Sequence, residues 1–264
     1  MTRTRIEWAT HVWNPVTGCT PVSEGCDHCY ARRMAKRLAG RCGYPADDPF
    51  RLTIHEDKIE EPLHWRKRRP KVFVCSMGDL FHEGMPWSVL MRIWNVMRRA
   101  RDCKFIVLTK RPERMWEFVV TANLVLSNVW LGVTTETQER ANKRIAVLLQ
   151  IPAARRLVSV EPMLEPIDIV IAANSGPALD VTRNWLDWVI VGGETGPGAR
   201  PMHSEWVRSL RGQCLQTRVP FFFKGWGEWA PNKLDSPDLA AMSRVGKRTA
   251  GRLLDGREWN EVPE

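Results

Sequence analysis

Short apolar runs rich in β-branched and aromatic residues recur along the chain: KVFVCSM (71–77), KFIVLT (104–109), VWLGVT (129–134), RRLVSVEP (155–162), DWVIVGG (187–193) and VPFFFKGW (219–226). Such runs read as strands buried on both faces, and their spacing of about 25 to 32 residues leaves room each time for a helix and two loops. Helical patterns fill the gaps: SVLMRIWNVMRRAR (88–101), PERMWEFVV (112–120), TQERANKRIAVLLQ (137–150) and SEWVRSLRGQCLQ (204–216). Thr135 or Thr137 ahead of QER, and Ser204 ahead of Glu205, read as N-caps. This alternation predicts an α/β fold with a parallel sheet, either an open doubly wound sheet or a complete or partial barrel.

In both architectures functional groups gather at the C-terminal ends of the strands. Those ends carry Ser76, Gly78 and Asp79; Thr109, Lys110 and Arg111; Thr134, Thr135 and Glu136; Glu161; Gly192, Gly193 and Glu194; and Lys224. Any one of them suits a helix cap or a loop. Charged and hydroxyl groups at nearly every strand end together predict a site.

With 264 residues, 44% of them hydrophobic, the chain has enough material for one large α/β domain or two small ones. The segment from Arg41 to Pro70 is charged and proline-punctuated, and is expected to cap the barrel or extend the first helix. From about Ala230 apolar periodicity is lost, which predicts irregular structure laid over the domain. GKRTAG in that tail lacks the preceding strand and the spacing of a phosphate-binding loop. No stretch approaches the roughly 18 apolar residues of a membrane span, and the start MTRTRIEWATH has no apolar signal core. The expected compartment is the cytoplasm, with no membrane partner.

A net charge of +9 suits contact with a polyanion such as DNA or RNA. Basic residues cluster in ARRMAKRLAGR (31–41), WRKRRPK (65–71) and MRRAR (97–101), each of which also reads as the solvated face or end of a helix. Thirteen tryptophans against two tyrosines serve equally for stacking on bases and for filling a core.

Three of the seven cysteines, Cys19, Cys26 and Cys29, fall within the eleven residues from Cys19 to Cys29 in NPVTGCTPVSEGCDHCYARR. In a reducing compartment, clustered thiols point to a metal or redox role. Cys42, Cys75, Cys103 and Cys214 are scattered singly, and Cys103 and Cys214 read as core thiols. A zinc site closes with four ligands, so His28 or His11 would complete it. A 4Fe-4S cluster held by only three thiolates keeps one iron open, and glycines before Cys19 and Cys26 let the backbone approach it.

The segment NPVTGCTPVSEGCDHCYAR resembles the cluster loop of radical SAM proteins related to spore photoproduct lyase, where an NP, a GC, a second GC and a CYA follow in order. It departs from the usual Cys-x3-Cys-x2-Cys by placing six residues between Cys19 and Cys26. The whole chain is similar to a phage- and bacterium-encoded three-cysteine-motif family of unassigned function. The similarity runs through WNPVTGC, GCDHCYA, VFVCSMGDLF, FIVLTKRPERM, WLGVTTE, VSVEPM, VIVGGETGPGARPMH, VPFFFKGWGEW and GKRTAGRLLDGREWNEVP.

What the resemblance implies is an α/β parallel (β/α) partial TIM barrel of radical SAM type over residues 1–229, its cluster loop at 14–33, with an irregular C-terminal extension over 230–264. It implies a 4Fe-4S cluster on Cys19, Cys26 and Cys29 whose open iron binds S-adenosylmethionine for reductive cleavage to a 5'-deoxyadenosyl radical. Tyr30 is placed near the adenine, Ser76 and Asp79 near the cofactor's amino group, and Lys110 and Thr134 at its carboxylate. Glu161 joins this cofactor set from its strand end. The position matching the lyase's hydrogen-donating cysteine is Ser76; strand alternation turns Cys75 to the other face, as a core thiol. Glu194, Arg200 and His203, in GGETGPGARPMH, are expected to touch substrate.

Implied partners are a nucleic acid, an electron donor such as flavodoxin or ferredoxin, and a partner protein encoded nearby. Two other readings stand beside modification or repair of a nucleic acid. One is a nucleic-acid-binding protein with structural zinc at the cysteines; the other is the same radical chemistry on a small molecule or a protein.

Overall fold

The computed structural model describes residues 2–4, 6–65, 70–176, 185–232 and 242–263. Most of the basic cluster WRKRRPK and residues 233–241 of the tail lie outside them. In chain order the elements are β1 (Thr2–Arg3), β2 (His11–Trp13), β3 (Val16–Thr17), α1 (Tyr30–Arg37), β4 (Thr53–Ile54), β5 (Lys71–Val74), α2 (Trp87–Arg99), β6 (Lys104–Thr109) and α3 (Pro112–Thr121). They continue with β7 (Val129–Thr135), α4 (Gln138–Leu148), β8 (Arg155–Val160), α5 (Ile169–Ala173), β9 (Trp188–Gly192), α6 (Ser204–Thr217), β10 (Phe221–Gly225), β11 (Trp229–Pro231), β12 (Met242–Arg244) and α7 (Lys247–Ala250).

The main sheet runs β1-β2-β5-β6-β7-β8-β9-β10. It is parallel from β2 to β10, and β1 pairs antiparallel with β2. A doubly wound sheet reverses its strand order at a switch point. This order never reverses, so the class is the partial (β/α) barrel. The six apolar runs of the sequence are β5 to β10. The seventh parallel strand, β2, is a three-residue HVW, too short to stand out as a periodic run.

The chain divides into two compact units. The first comprises Met1–Val22, Cys29–Gly132 and Ile151–Arg155. Its α2 presents Leu90, Ile93, Trp94 and Met97 at the three-and-four spacing of a buried helical stripe. Phe118 of α3 meets the rings of Phe81, Trp87 and Trp94 at 5.2–6.1 Å. The segment from Arg41 to Pro70 does not extend the first helix. Gly40, Cys42 and Gly43 take positive φ after α1, which ends the helix, and the chain continues into β4 and two 3-10 turns.

The second unit comprises Ser23–His28, Val133–Gln150 and Arg156–Glu264. Thr137 caps α4, its hydroxyl accepting from Arg140 N at 3.4 Å. Ser204 is not a cap: it is the first residue of α6, His203 stands at the cap position, and the Ser204 hydroxyl accepts from Arg208 Nη1 at 3.2 Å. The tail is also more regular than its composition suggests. β11 and β12 pair antiparallel, Asn260 bridges to Phe222 of β10, and buried Trp259 packs on Phe221. Elements of three or four residues are too short to leave a periodicity.

Trp8, Trp13, Trp94, Trp130, Trp188, Trp226 and Trp259 are buried, so most of the tryptophans fill cores. Cys75, Cys103 and Cys214 are buried as well; burial raises all three thiols, Cys103 to about 11 and Cys214 to about 12. Among the described residues no helix is long and apolar enough to cross a membrane.

Candidate functional site

Leaving β2, the chain is held in the first unit by Asn14, whose Oδ1 accepts from Ser76 Oγ at 3.2 Å and Met77 N at 3.1 Å. Gly18 then donates from its N–H to Met77 O at 2.9 Å and bridges to Gly78. Its φ is +86°, and a Cβ there would lie 2.0 Å from Arg51 O. Gly18→Ala is expected to cost about 1–3 kcal/mol from the backbone conformation alone, with the clash added, read as a lowered urea midpoint. A substitution without effect would show that this turn is not required.

Cys19 and Cys29 both pack on the apolar cluster of Ala31, Ala35, Tyr44 and Phe50, as does Met77. Cys19 Sγ accepts from Arg111 Nη1 at 3.3 Å. The Arg111 side chain is 5% exposed, and the same guanidinium donates to Glu83 Oε1 at 2.6 Å, Asp79 Oδ2 at 3.2 Å, and Thr20 O and Oγ1 at 3.0 and 2.9 Å. Burial opposes its charge, but Glu83, Asp79 and Cys19 outweigh burial and raise it above the usual arginine value.

Asp79 Oδ1 accepts from Phe81 N and Thr109 Oγ1, and Oδ2 from Lys110 N and Arg111 Nη1. A carboxylate offers about four lone-pair sites, so protein donors fill this one. Lys110, Glu83, Arg111 and Arg114 line an open cavity of about 450 Å³. The Tyr30 hydroxyl donates to the Ser76 carbonyl.

In the second unit the turn Glu24–Cys26 is a single 3-10 turn closed by Cys26 N to Ser23 O at 2.9 Å. Ser23 Oγ donates to Glu136 Oε1 at 3.0 Å and lies 3.8 Å from Cys26 Sγ. Glu136 is fully buried at the end of β7, and its Oε2 accepts from Arg144 Nη1 at 2.8 Å. Arg144 Nη1 also donates to the carbonyl of half-buried Thr134 at 2.6 Å. Glu24 accepts from Thr137 Oγ1 at 3.0 Å and from Arg140 Nε and Nη2 at 3.3 and 3.2 Å.

From the end of β9, buried Glu194 accepts from Arg200 Nε at 2.9 Å, Nη2 at 2.6 Å and the backbone N at 2.8 Å. Arg200 reaches on to Glu24 O at 2.9 Å and Asp27 Oδ2 at 3.4 Å, and His28 Nδ1 lies 3.0 Å from Glu194 Oε2. Glu194 and Arg200 therefore come together on the cysteine segment. His203 stands at the cap position of α6, its ring 4.5 Å from that of Trp206. Glu161 accepts from Ser159 Oγ at 3.0 Å and pairs with Lys224 Nζ at 2.8 Å.

Burial raises the Glu194 carboxyl, but the Arg200 and His28 contacts outweigh it and hold the group below its ordinary 4.5. A folded value below the unfolded one stabilises fully above about pH 4.5, and the contribution is lost as pH falls through the lowered value. Acid is therefore expected to loosen residues 23–28, with faster amide exchange of Asp27 below pH 4.5. In Glu194→Gln the same segment should exchange faster at neutral pH and respond less to acid.

Arg111, at Cys19, and Glu136, at Ser23, both belong to the strand-end set read from the sequence, whereas Glu24, which pairs with Arg140, is not singled out there. Glu136 directly follows β7 and Arg111 stands two residues after β6, and a charge just past a buried apolar strand is the signal that marks both. Among the described residues, no three or more His, Cys, Asp or Glu side chains gather as a site for one metal ion.

Among solved structures, the chain is similar to spore photoproduct lyase complexed with dinucleoside spore photoproduct. The TM-score is 0.47 and the identity 8%, over 83% of this chain and 66% of that one. It is likewise similar to a variant of that enzyme with bound AdoMet and dinucleoside spore photoproduct, with a TM-score of 0.46 and 10% identity over the same shares. The chain thus spans just under two thirds of the length of the lyase structures it matches. A search of curated proteins gave no match. The family described as "Protein of unknown function (DUF5131)" matches residues 3–263, so the chain belongs to that family.

Proposed function

We propose that this chain is an iron-sulfur protein of radical SAM type that holds a 4Fe-4S cluster on Cys19, Cys26 and Cys29. The cysteine loop itself carries the reading: three thiols in eleven residues, none in a disulfide, with Arg111 donating to the Cys19 sulfur and Glu136 accepting from Ser23 in the turn before Cys26. The residues suit a cluster. Glycines precede two of the cysteines, apolar packing lies under Cys19 and Cys29, and an N–H donor meets one sulfur. When bound, a cluster with one open iron supplies coordination and reductive cleavage of S-adenosylmethionine.

The chain's own residues would orient that cofactor. Lys110, whose backbone N–H is held by Asp79, would pair with the carboxylate; Ser76 and Thr134 would supply hydroxyls and Tyr30 an aromatic ring. Asp79, filled by protein donors, acts by positioning Thr109, Lys110 and Arg111, and Glu161 acts through Lys224. Glu194 and Arg200 brace residues 24–28, while His203 remains the substrate contact of that group. The substrate is a nucleic acid or nucleotide derivative, supported by the net charge of +9. An electron donor such as flavodoxin or ferredoxin would serve it in the cytoplasm, alongside a partner protein encoded nearby. The narrower phage- and bacterium-encoded grouping goes with this reading.

Anaerobic reconstitution with iron and sulfide tests it. About four irons per chain, lost in Cys26→Ala, together with 5'-deoxyadenosine formation from S-adenosylmethionine, would support it. Stoichiometric zinc without a cluster would overturn it. Stimulation by DNA or RNA separates a nucleic-acid substrate from a small molecule or protein.

A further inference from the structure

We infer that Arg111 is a positioning residue that sets the electron affinity of the cluster through its hydrogen bond to Cys19. The inference rests on the proposal that Cys19 is a cluster ligand. Arg111 Nη1 lies 3.3 Å from Cys19 Sγ, and the rest of the side chain leaves it little freedom to be elsewhere. Nε is fixed by Glu83 at 2.6 Å, Nη2 by both oxygens of Thr20, and Nη1 by Asp79 at 3.2 Å. The backbone N–H of Arg111 donates to Thr109 Oγ1 at 3.0 Å, and that hydroxyl donates in turn to Asp79. One guanidinium thus ties the end of β6 and the segment after β5 to the residue that follows Cys19.

The electrostatic consequence follows from where the charge sits. A one-electron reduction by an external low-potential donor adds a negative charge shared over the iron and sulfur atoms. A cationic N–H donor at a ligand sulfur stabilises that charge more in the reduced form than in the oxidised one, and hydrogen bonds to sulfur are among the determinants of cluster potential. Because the Arg111 side chain is 5% exposed, water screens this effect little. Lysine cannot replace it: a single ammonium lacks the planar fork that reaches Cys19, Asp79, Glu83 and Thr20 at once.

The test compares anaerobically reconstituted full-length wild type, Arg111→Lys and Arg111→Met. Iron and sulfide per chain are measured first, then circular dichroism, then the midpoint potential by electron paramagnetic resonance during reductive titration. The expected result is equal iron content, with the midpoint lower in Arg111→Met and intermediate in Arg111→Lys. A fully loaded Arg111→Met with the wild-type midpoint overturns the inference. If that variant fails to fold or to load, Arg111→Lys decides: a lowered midpoint supports the inference and an unchanged one overturns it. A wild type that binds no iron fails at the first measurement, which identifies the cluster proposal as the error and removes the inference with it.

Discussion

Asp79→Ala is expected to cost about 3–5 kcal/mol of unfolding free energy, the range for breaking a buried ion pair by removing one partner. Asp79 and Arg111 are both buried, and the aspartate accepts from Phe81 N, Thr109 Oγ1, Lys110 N and Arg111 Nη1. Its loss leaves all four donors short of an acceptor and one guanidinium short of a counter-charge. Glu83 still reaches Arg111, but its side chain is 64% exposed and compensates only in part. Asp79→Asn should fall between wild type and alanine, because an amide keeps one acceptor oxygen and turns a donor toward the other pair of N–H groups. Urea denaturation of the three proteins measures the series. A loss below about 1 kcal/mol in Asp79→Ala would show that water or Glu83 suffices to hold Arg111.

Glu136→Ala is expected to be as costly and to act on the cysteine loop as well. Its carboxylate is fully buried, pairs with buried Arg144 and accepts from Ser23 Oγ, so alanine leaves a buried arginine uncompensated at about 3–5 kcal/mol. It also frees the turn that carries Cys26, which amide exchange at Cys26 N should report. Gly25 supplies an internal check, since a Cβ there would lie 2.3 Å from Glu136 Cγ. Gly25→Ala should therefore be destabilising in the wild type and less so in Glu136→Ala. Strict additivity of the two substitutions would show that Glu136 is not what keeps residue 25 a glycine.

Strand type was legible because β5 to β10 are continuous apolar runs at βα spacing, a pattern set by burial on both faces, whereas the runs alone left the strand order open between a doubly wound sheet and a barrel. β2 escaped that pattern because its identity rests on hydrogen bonds to β5 and on only three residues. The end of α1 was written in Gly40, Cys42 and Gly43, but only the glycines announce a left-handed backbone, which Cys42 adopts as well. At the site, the sequence marks the thiols and the strand-end polar residues as types. It does not mark which polar residues spend their hydrogen bonds on the loop. The sequence reads Asp79 and Glu194 as cofactor and substrate groups; it does not show that they accept from Arg111 and Arg200, residues that side-chain direction, and not spacing, brings beside them.

The C-terminal segment has a consequence for assembly. β10 ends the main sheet, and a terminal parallel strand ordinarily offers a row of backbone groups to another chain. Here Phe223 N donates to Trp259 O at 3.0 Å, Phe221 N to Glu261 Oε2 at 2.9 Å, and Asn260 bridges to Phe222. Three arginines surround this latch with cation-π contacts, Arg211 and Arg257 over Trp259 and Arg252 over Phe222. Residues 257–261 thus make β10 an interior strand in all but name. A strand-adding neighbour, or a fusion intended to extend the sheet, has to displace the latch first.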